Sequence, residues 1–82
     1  MKPKKFNNAQ DQNINDVLCT VWDALEFKGY NPRNQIRDYL YTEDPCYITN
    51  YNNARKLLTE LDRDDIMDHL MDYYFNDWLI KV

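Results

Sequence analysis

The sequence predicts an all-α protein: a compact small bundle of about four helices with one further short turn. Three observations carry this. Apolar residues recur at the spacing of a helix face in several separate stretches. The 82 residues include one Gly and no Ser, too few turn residues for an all-β fold or for a glycine-rich phosphate cradle. No stretch alternates apolar and polar side chains with the period of two that a strand requires. At 44% hydrophobic and 15% aromatic, with seven Tyr, the chain carries far more apolar mass than a disordered polymer.

The elements follow in order. Residues 1–13 (MKPKKFNNAQDQN) are polar and aperiodic and read as a disordered basic tail, leaving residues 14–82 as a single helical domain. Ile14, Leu18, Val21, Trp22 and Leu25 then fall at helical spacing, with Asn15 as a cap and Gly29 as a left-handed stop, which places helix one at about residues 16–28. Asn31 and Pro32 form a cap and first-position pair for helix two, about 32–41, with Ile36, Tyr39 and Leu40 on its inner side. Asp44 and Pro45 repeat that start, but Tyr47, Ile48 and Thr49 allow no more than one turn. Thr49 is placed to cap helix three, about 50–61, whose stripe is Ala54, Leu57, Leu58 and Leu61.

Asp62 opens helix four, with Asp65 three residues on in an approximate capping box. Ile66, Met67, Leu70, Met71, Tyr74 and Trp78 cover more of this helix than the usual ~100° apolar arc. One small core cannot absorb that surface. A homodimer is the expected remedy, with Leu70, Met71, Tyr74 and Trp78 at the interface.

Charge narrows the function. Lys2, Lys4 and Lys5 against Asp11 give residues 1–13 a charge of +2, so residues 14–82 hold −6 of the net −4. Nucleic-acid affinity rests mainly on neutralising phosphates, so neither DNA nor RNA is the expected partner. No apolar run approaches the ~20 residues that span a bilayer, and no membrane insertion is expected. Cys19 and Cys46 are too few and too distant for a metal knuckle, and with no secretory signal a cytoplasmic setting is expected. Cys19 reads as a small buried hydrophobe beside Trp22.

Catalytic and metal chemistry find little support. His69 shares a helix face with Asp65 and Asp72, yet residues 60–77 carry −6 and read as a solvated acidic face. Asp62 and Asp64 open like a calcium loop, but Ile66 stands where the next oxygen ligand belongs. Carboxylate pairs are abundant, but none is expected to be desolvated as a general acid must be. The expectation is a protein that is not an enzyme, with no cofactor and no metal.

Binding is better supplied. Arg33, Arg37, Arg55 and Lys56 form the positive cluster of the folded part, and tyrosines 39, 41, 47 and 51 crowd the linker between helices two and three. Intramolecular pairing and core packing are the plainer uses for both groups. The face including Asn34, Arg37, Arg55 and Lys56 is the partner-binding candidate. A small nucleic-acid-binding helical domain using Arg33, Arg37, Arg55 and Lys56 is the alternative.

Three strings in order carry a family resemblance: KGYNPRNQI at residues 28–36, DPCYIT at 44–49 and NNAR at 52–55. On these the chain resembles the IreB-like family of small bacterial regulatory phosphoproteins, from about Ile14 to Tyr74, with Arg63-Asp64 part of the same pattern. Its motif positions here are Gly29, Tyr30, Asn31, Pro32, Asn34, Gln35, Asp44, Pro45, Tyr47, Asn52, Asn53 and Arg55. The resemblance implies a cytoplasmic, non-catalytic helical homodimer of Gram-positive bacteria. It implies a substrate of the transmembrane Ser/Thr kinase that senses cell-wall fragments, acting on peptidoglycan synthesis and tolerance of wall-active antibiotics. It also implies protein partners in cell-wall signalling or in the proteolytic turnover of the pathway's first committed enzyme.

Departures from the family pattern carry their own expectations. Pro3 stands where the family has a tail threonine, and residues 1–13 contain no hydroxyl side chain. Thr42, in the linker after helix two, is the one threonine expected to be presented to a kinase. Asp38 and Glu43 stand where the family tends to have glycine, and Tyr51 where it has histidine. Glu43 therefore suggests a differently shaped turn before Asp44.

Overall fold

A computed structural model of the chain describes the backbone of residues 9–81 and the side chains of residues 12–75. Four α-helices and two 3-10 turns account for the order, and no strand occurs among the described residues: α1 (Ala9–Phe27), α2 (Pro32–Thr42), a turn at Pro45–Tyr47, a second at Tyr51–Asn53, α3 (Ala54–Thr59) and α4 (Arg63–Lys81).

Helix α1 is the centre of the fold, packing chiefly on α3 and α2 and more lightly on α4. It begins at Ala9, not near residue 16, so Asn15 lies inside the helix and α1 reaches into the stretch expected as a tail. The apolar period starts only at Ile14, so nothing upstream marks the extra turns; a local pair, Gln12 Nε2 donating to Asp16 Oδ1 at 3.0 Å, supports them. Residues 1–8 lie outside the described residues. The other end is as expected. Gly29 takes φ 87°, its N–H reaches Glu26 O at 3.0 Å and that of Tyr30 reaches Leu25 O at 2.9 Å, the paired bonds of a left-handed helix stop.

Helix α2 starts as its sequence requires. Asn31 is extended, its Oδ1 accepts from the Asn34 N–H at 3.1 Å, and Pro32 occupies the first turn. The next start repeats this in miniature, Asp44 Oδ1 accepting from the Cys46 N–H at 2.9 Å over a single 3-10 turn. Between α2 and that turn, Glu43 is left-handed at φ 59°, ψ 20°, and its N–H meets Tyr39 O at 2.7 Å. This is the left-handed conformation that glycine adopts most readily, so Glu43 is strained here.

The helix expected over residues 50–61 is split. Asn52 and Asn53 are both left-handed, at φ 52° and 64°, so a 3-10 turn precedes a short α3. Asparagine tolerates that region better than most residues, which gives the repeated Asn a conformational role. Thr49 Oγ1 accepts from the Tyr51 N–H at 3.2 Å, just ahead of the 3-10 turn, so it does not cap α3, whose N-cap is Asn53. Asp62 Oδ1 accepts from the Asp64 N–H at 2.9 Å at the head of α4.

The core joins Val17, Val21, Ala24 and Leu25 of α1 to Tyr39, Ile48, Ala54, Leu58 and Ile66. Ile48, between the two 3-10 turns, is fully buried and anchors the linker to α1 and α3. Two residues reverse their expected roles. Cys19 is exposed, and His69 is buried at 4% exposure instead of sharing a solvated acidic face. The α4 helix turns His69 inward, on the side of Ile66 three residues before it.

Candidate functional site

The motif residues build a clasp that holds the linker between α2 and α3. Gln35 Nε2 donates to Tyr47 O at 2.9 Å and Arg55 Nε donates to Ile48 O at 2.9 Å, so one side chain from each flanking helix grips one of the two successive carbonyls on either side of Ile48. Arg63 closes the set from α4, its Nη1 donating to Leu40 O at 3.1 Å while its Nε lies 3.6 Å from Glu43 Oε2. Bonds from charged donors to part-buried carbonyls contribute roughly 1.5–3 kcal/mol each. Much of the motif is therefore framework: Gly29 and Tyr30 stop α1, Asn31 and Pro32 start α2, and Asp44 and Pro45 start the first 3-10 turn.

The partner-binding candidates do not form one free basic face. Arg55 is committed to Ile48 O and half-buried. Asn34 uses its N–H on Asn31, while its Oδ1 is shielded from water and accepts no hydrogen bond among the described residues. Arg37 is exposed and pairs with Asp38 at 2.9 Å, and this bond, with the Asp38 charge, raises its guanidinium pKa above the ordinary value. Lys56 is exposed on α3. Thr42 is the last residue of α2, not part of a free linker; its Oγ1 donates to Asp38 O at 2.8 Å and accepts from the Asp44 N–H at 3.1 Å.

An apolar groove of about 490 Å³ runs between α1, α2 and α4. Leu18 and Trp22 of α1, Ile36 and Leu40 of α2, and Met67 and Leu70 of α4 line it, with Arg33, Arg37 and Tyr41 also on its wall. Trp22, expected in the core with Leu25, is 42% exposed here because α4 meets α1 only lightly. The groove continues along α4 into Met71 and Tyr74, both exposed and on the same helix face as Met67. Leu70, Met71 and Tyr74 thus stand as one open apolar stripe, while the side chain of Trp78 lies outside the described residues.

Among the described residues no group of three His, Cys, Asp or Glu could hold a metal ion, and no helix is long and apolar enough to cross a membrane. Sequence reasoning missed the groove and the clasp for one reason: both are made by residues from different helices. The motif positions Gln35 and Arg55, with Arg63 of the Arg-Asp pair, marked the clasp residues but not their contacts.

A family model fits these features as a set. The model of the IreB regulatory phosphoprotein family matches residues 2–76, spanning the helix stops, both proline starts, the clasp and the apolar stripe of α4 as far as Tyr74. The chain belongs to the IreB regulatory phosphoprotein family.

Proposed function

We propose that this chain is a non-enzymatic cytoplasmic regulator that works as a homodimer by binding protein partners. It acts downstream of a cell-wall-sensing Ser/Thr kinase, in control of peptidoglycan synthesis and tolerance of wall-active antibiotics. The family is regulatory, and that membership supports the role. The observation that carries the binding reading is the apolar groove with its continuation along α4, a surface that an 82-residue chain leaves open. A second copy covering Leu70, Met71, Tyr74 and Trp78 removes it from water.

Two measurements test this. Sedimentation at micromolar concentration should give twice the 10.0 kDa chain mass, and Leu70→Asp should return it toward the monomer; a monomer for the unsubstituted chain refutes the dimer. Deleting the gene in its host should change tolerance of a wall-active antibiotic, with restoration by the wild-type copy. Unchanged tolerance refutes the pathway.

A further inference from the structure

A second exposed surface lies away from the groove, where the end of α1 meets the turn at Tyr51–Asn53. Phe27, 70% exposed, and Tyr51, 42% exposed, stack with ring centroids 4.7 Å apart and planes 15° from parallel. Lys28 Nζ stands 5.8 Å from the centroid of the Tyr51 ring. Neither ring belongs to the core cluster. The pair is an aromatic platform open to water, with a cation over the Tyr51 ring.

The backbone beneath it is strained for no gain in capping. Asn52 and Asn53 are two of the three non-glycine residues with positive φ among the described residues, and the Asn53 side chain makes no cap bond to α3. Left-handed conformations cost ~1–2 kcal/mol for ordinary residues, less for Asn, and persist where surrounding structure over-determines them, often at binding surfaces. Here Thr49 Oγ1 and the Arg55 N–H bond to Thr49 O at 3.1 Å hold the turn, and its effect is to set the Tyr51 ring against Phe27.

We infer that the Phe27–Tyr51 stack with Lys28 is a docking surface for a linear, carboxylate-bearing segment of a partner protein. That segment lays an aromatic or aliphatic side chain on the rings and sets a carboxylate against Lys28. Charge decides the chemistry. Residues 14–82 carry −6, so most of the folded surface repels an acidic segment, whereas Lys28 at the rings attracts it. Exposed aromatics beside a cation are the composition of interface anchors. A single-stranded nucleic acid could also stack on the rings, but one lysine neutralises too few phosphates to hold one at physiological salt. The inference rests on the protein-binding reading above and narrows it to one surface.

The test is fluorescence anisotropy of a short labelled peptide in which glutamates flank a Leu-Phe pair, beside its all-glutamine counterpart and a labelled oligothymidylate. The glutamate peptide should bind and the glutamine peptide should bind much more weakly. Phe27→Ala and Lys28→Glu should each weaken capture about tenfold, the size of a contact worth ~1.4 kcal/mol. Tyr51→Phe keeps the stack and should keep most of the affinity, and Arg33→Glu, on the groove wall, should leave it unchanged. Circular dichroism and sedimentation confirm that each variant keeps its helicity and dimer mass. The inference is overturned by no binding of the glutamate peptide, by equal binding of both peptides, by tighter, steeply salt-dependent binding of the oligonucleotide, or by Phe27→Ala without effect. A tolerance phenotype on gene deletion together with failed peptide binding refutes this surface alone. Peptide binding without that phenotype leaves the surface standing and refutes the pathway.

Discussion

Glu43 sits in a left-handed conformation that glycine adopts with less strain, and Glu43→Gly should therefore stabilise the protein. Its backbone is left-handed at φ 59°, ψ 20°, and the N–H to Tyr39 O bond at 2.7 Å ties that geometry to the end of α2. A Cβ in this region costs ~1–2 kcal/mol, which glycine relieves. Against it, glycine gains freedom in the unfolded chain worth about 0.4–1 kcal/mol. The ion pair to Arg63 is long, at 3.6 Å, and the Glu43 side chain is 60% exposed, so its loss costs no more than a few tenths of a kcal/mol. Removing a carboxylate from the negative end of α2, whose last turn has no basic residue, returns about the same amount. The net is a gain of roughly 0.5–1 kcal/mol, or a rise of ~2–8 °C in Tm for a domain of this size. Thermal melts at one protein concentration, with the sedimentation mass checked, measure it. A midpoint that stays or falls would mean that Glu43 is not strained, or that its contact with Arg63 is worth several times a surface ion pair.

Three further outcomes follow from named contacts. Asn31→Ala should cost ~1 kcal/mol by removing the acceptor of the Asn34 N–H, and Pro32→Ala should also cost a measurable amount because Pro32 is buried; denaturant midpoints check both. Phosphate on Thr42 would remove the hydroxyl proton that it donates to Asp38 O and set about −1.5 to −2 of charge beside Glu43 and Asp44, loosening the end of α2. Peptide mapping after treatment with the cognate kinase domain should find phosphate at the exposed helix ends, Thr42 or Thr59, or nowhere; stoichiometric phosphate on the half-buried Thr20 or Thr49 refutes this. Burial raises the Tyr39 phenol above its ordinary 10.0, with the Glu43 charge adding and Arg63 opposing. Both folded and unfolded chains hold this proton below that value, so its contribution is intact there and is lost as pH rises through the raised folded pKa. Tyr39→Phe should flatten that alkaline loss in denaturant titrations, and an unchanged slope would refute it.

The sequence by itself determined what adjacent residues decide among themselves. Gly29 as a helix stop, Asn31-Pro32 and Asp44-Pro45 as starts, and the all-helical class depend on bonds spanning a few positions, so residue type and spacing suffice to read them. The early start of α1 left no apolar signal, and the break before α3 turns on the conformation of Asn52 and Asn53, which composition alone does not dictate. Only the tertiary structure decided which helical faces meet. Because α4 touches α1 lightly, Trp22 is left open to a groove, while His69, on a helix whose acids suggested a wet face, is turned inward. The same holds for Gln35, Arg55 and Arg63. Their sequence suggests surface polarity and charge, but packing α2, α3 and α4 around Ile48 brings partly buried carbonyls within reach. Leaving such carbonyls without donors costs more than drawing these side chains away from water.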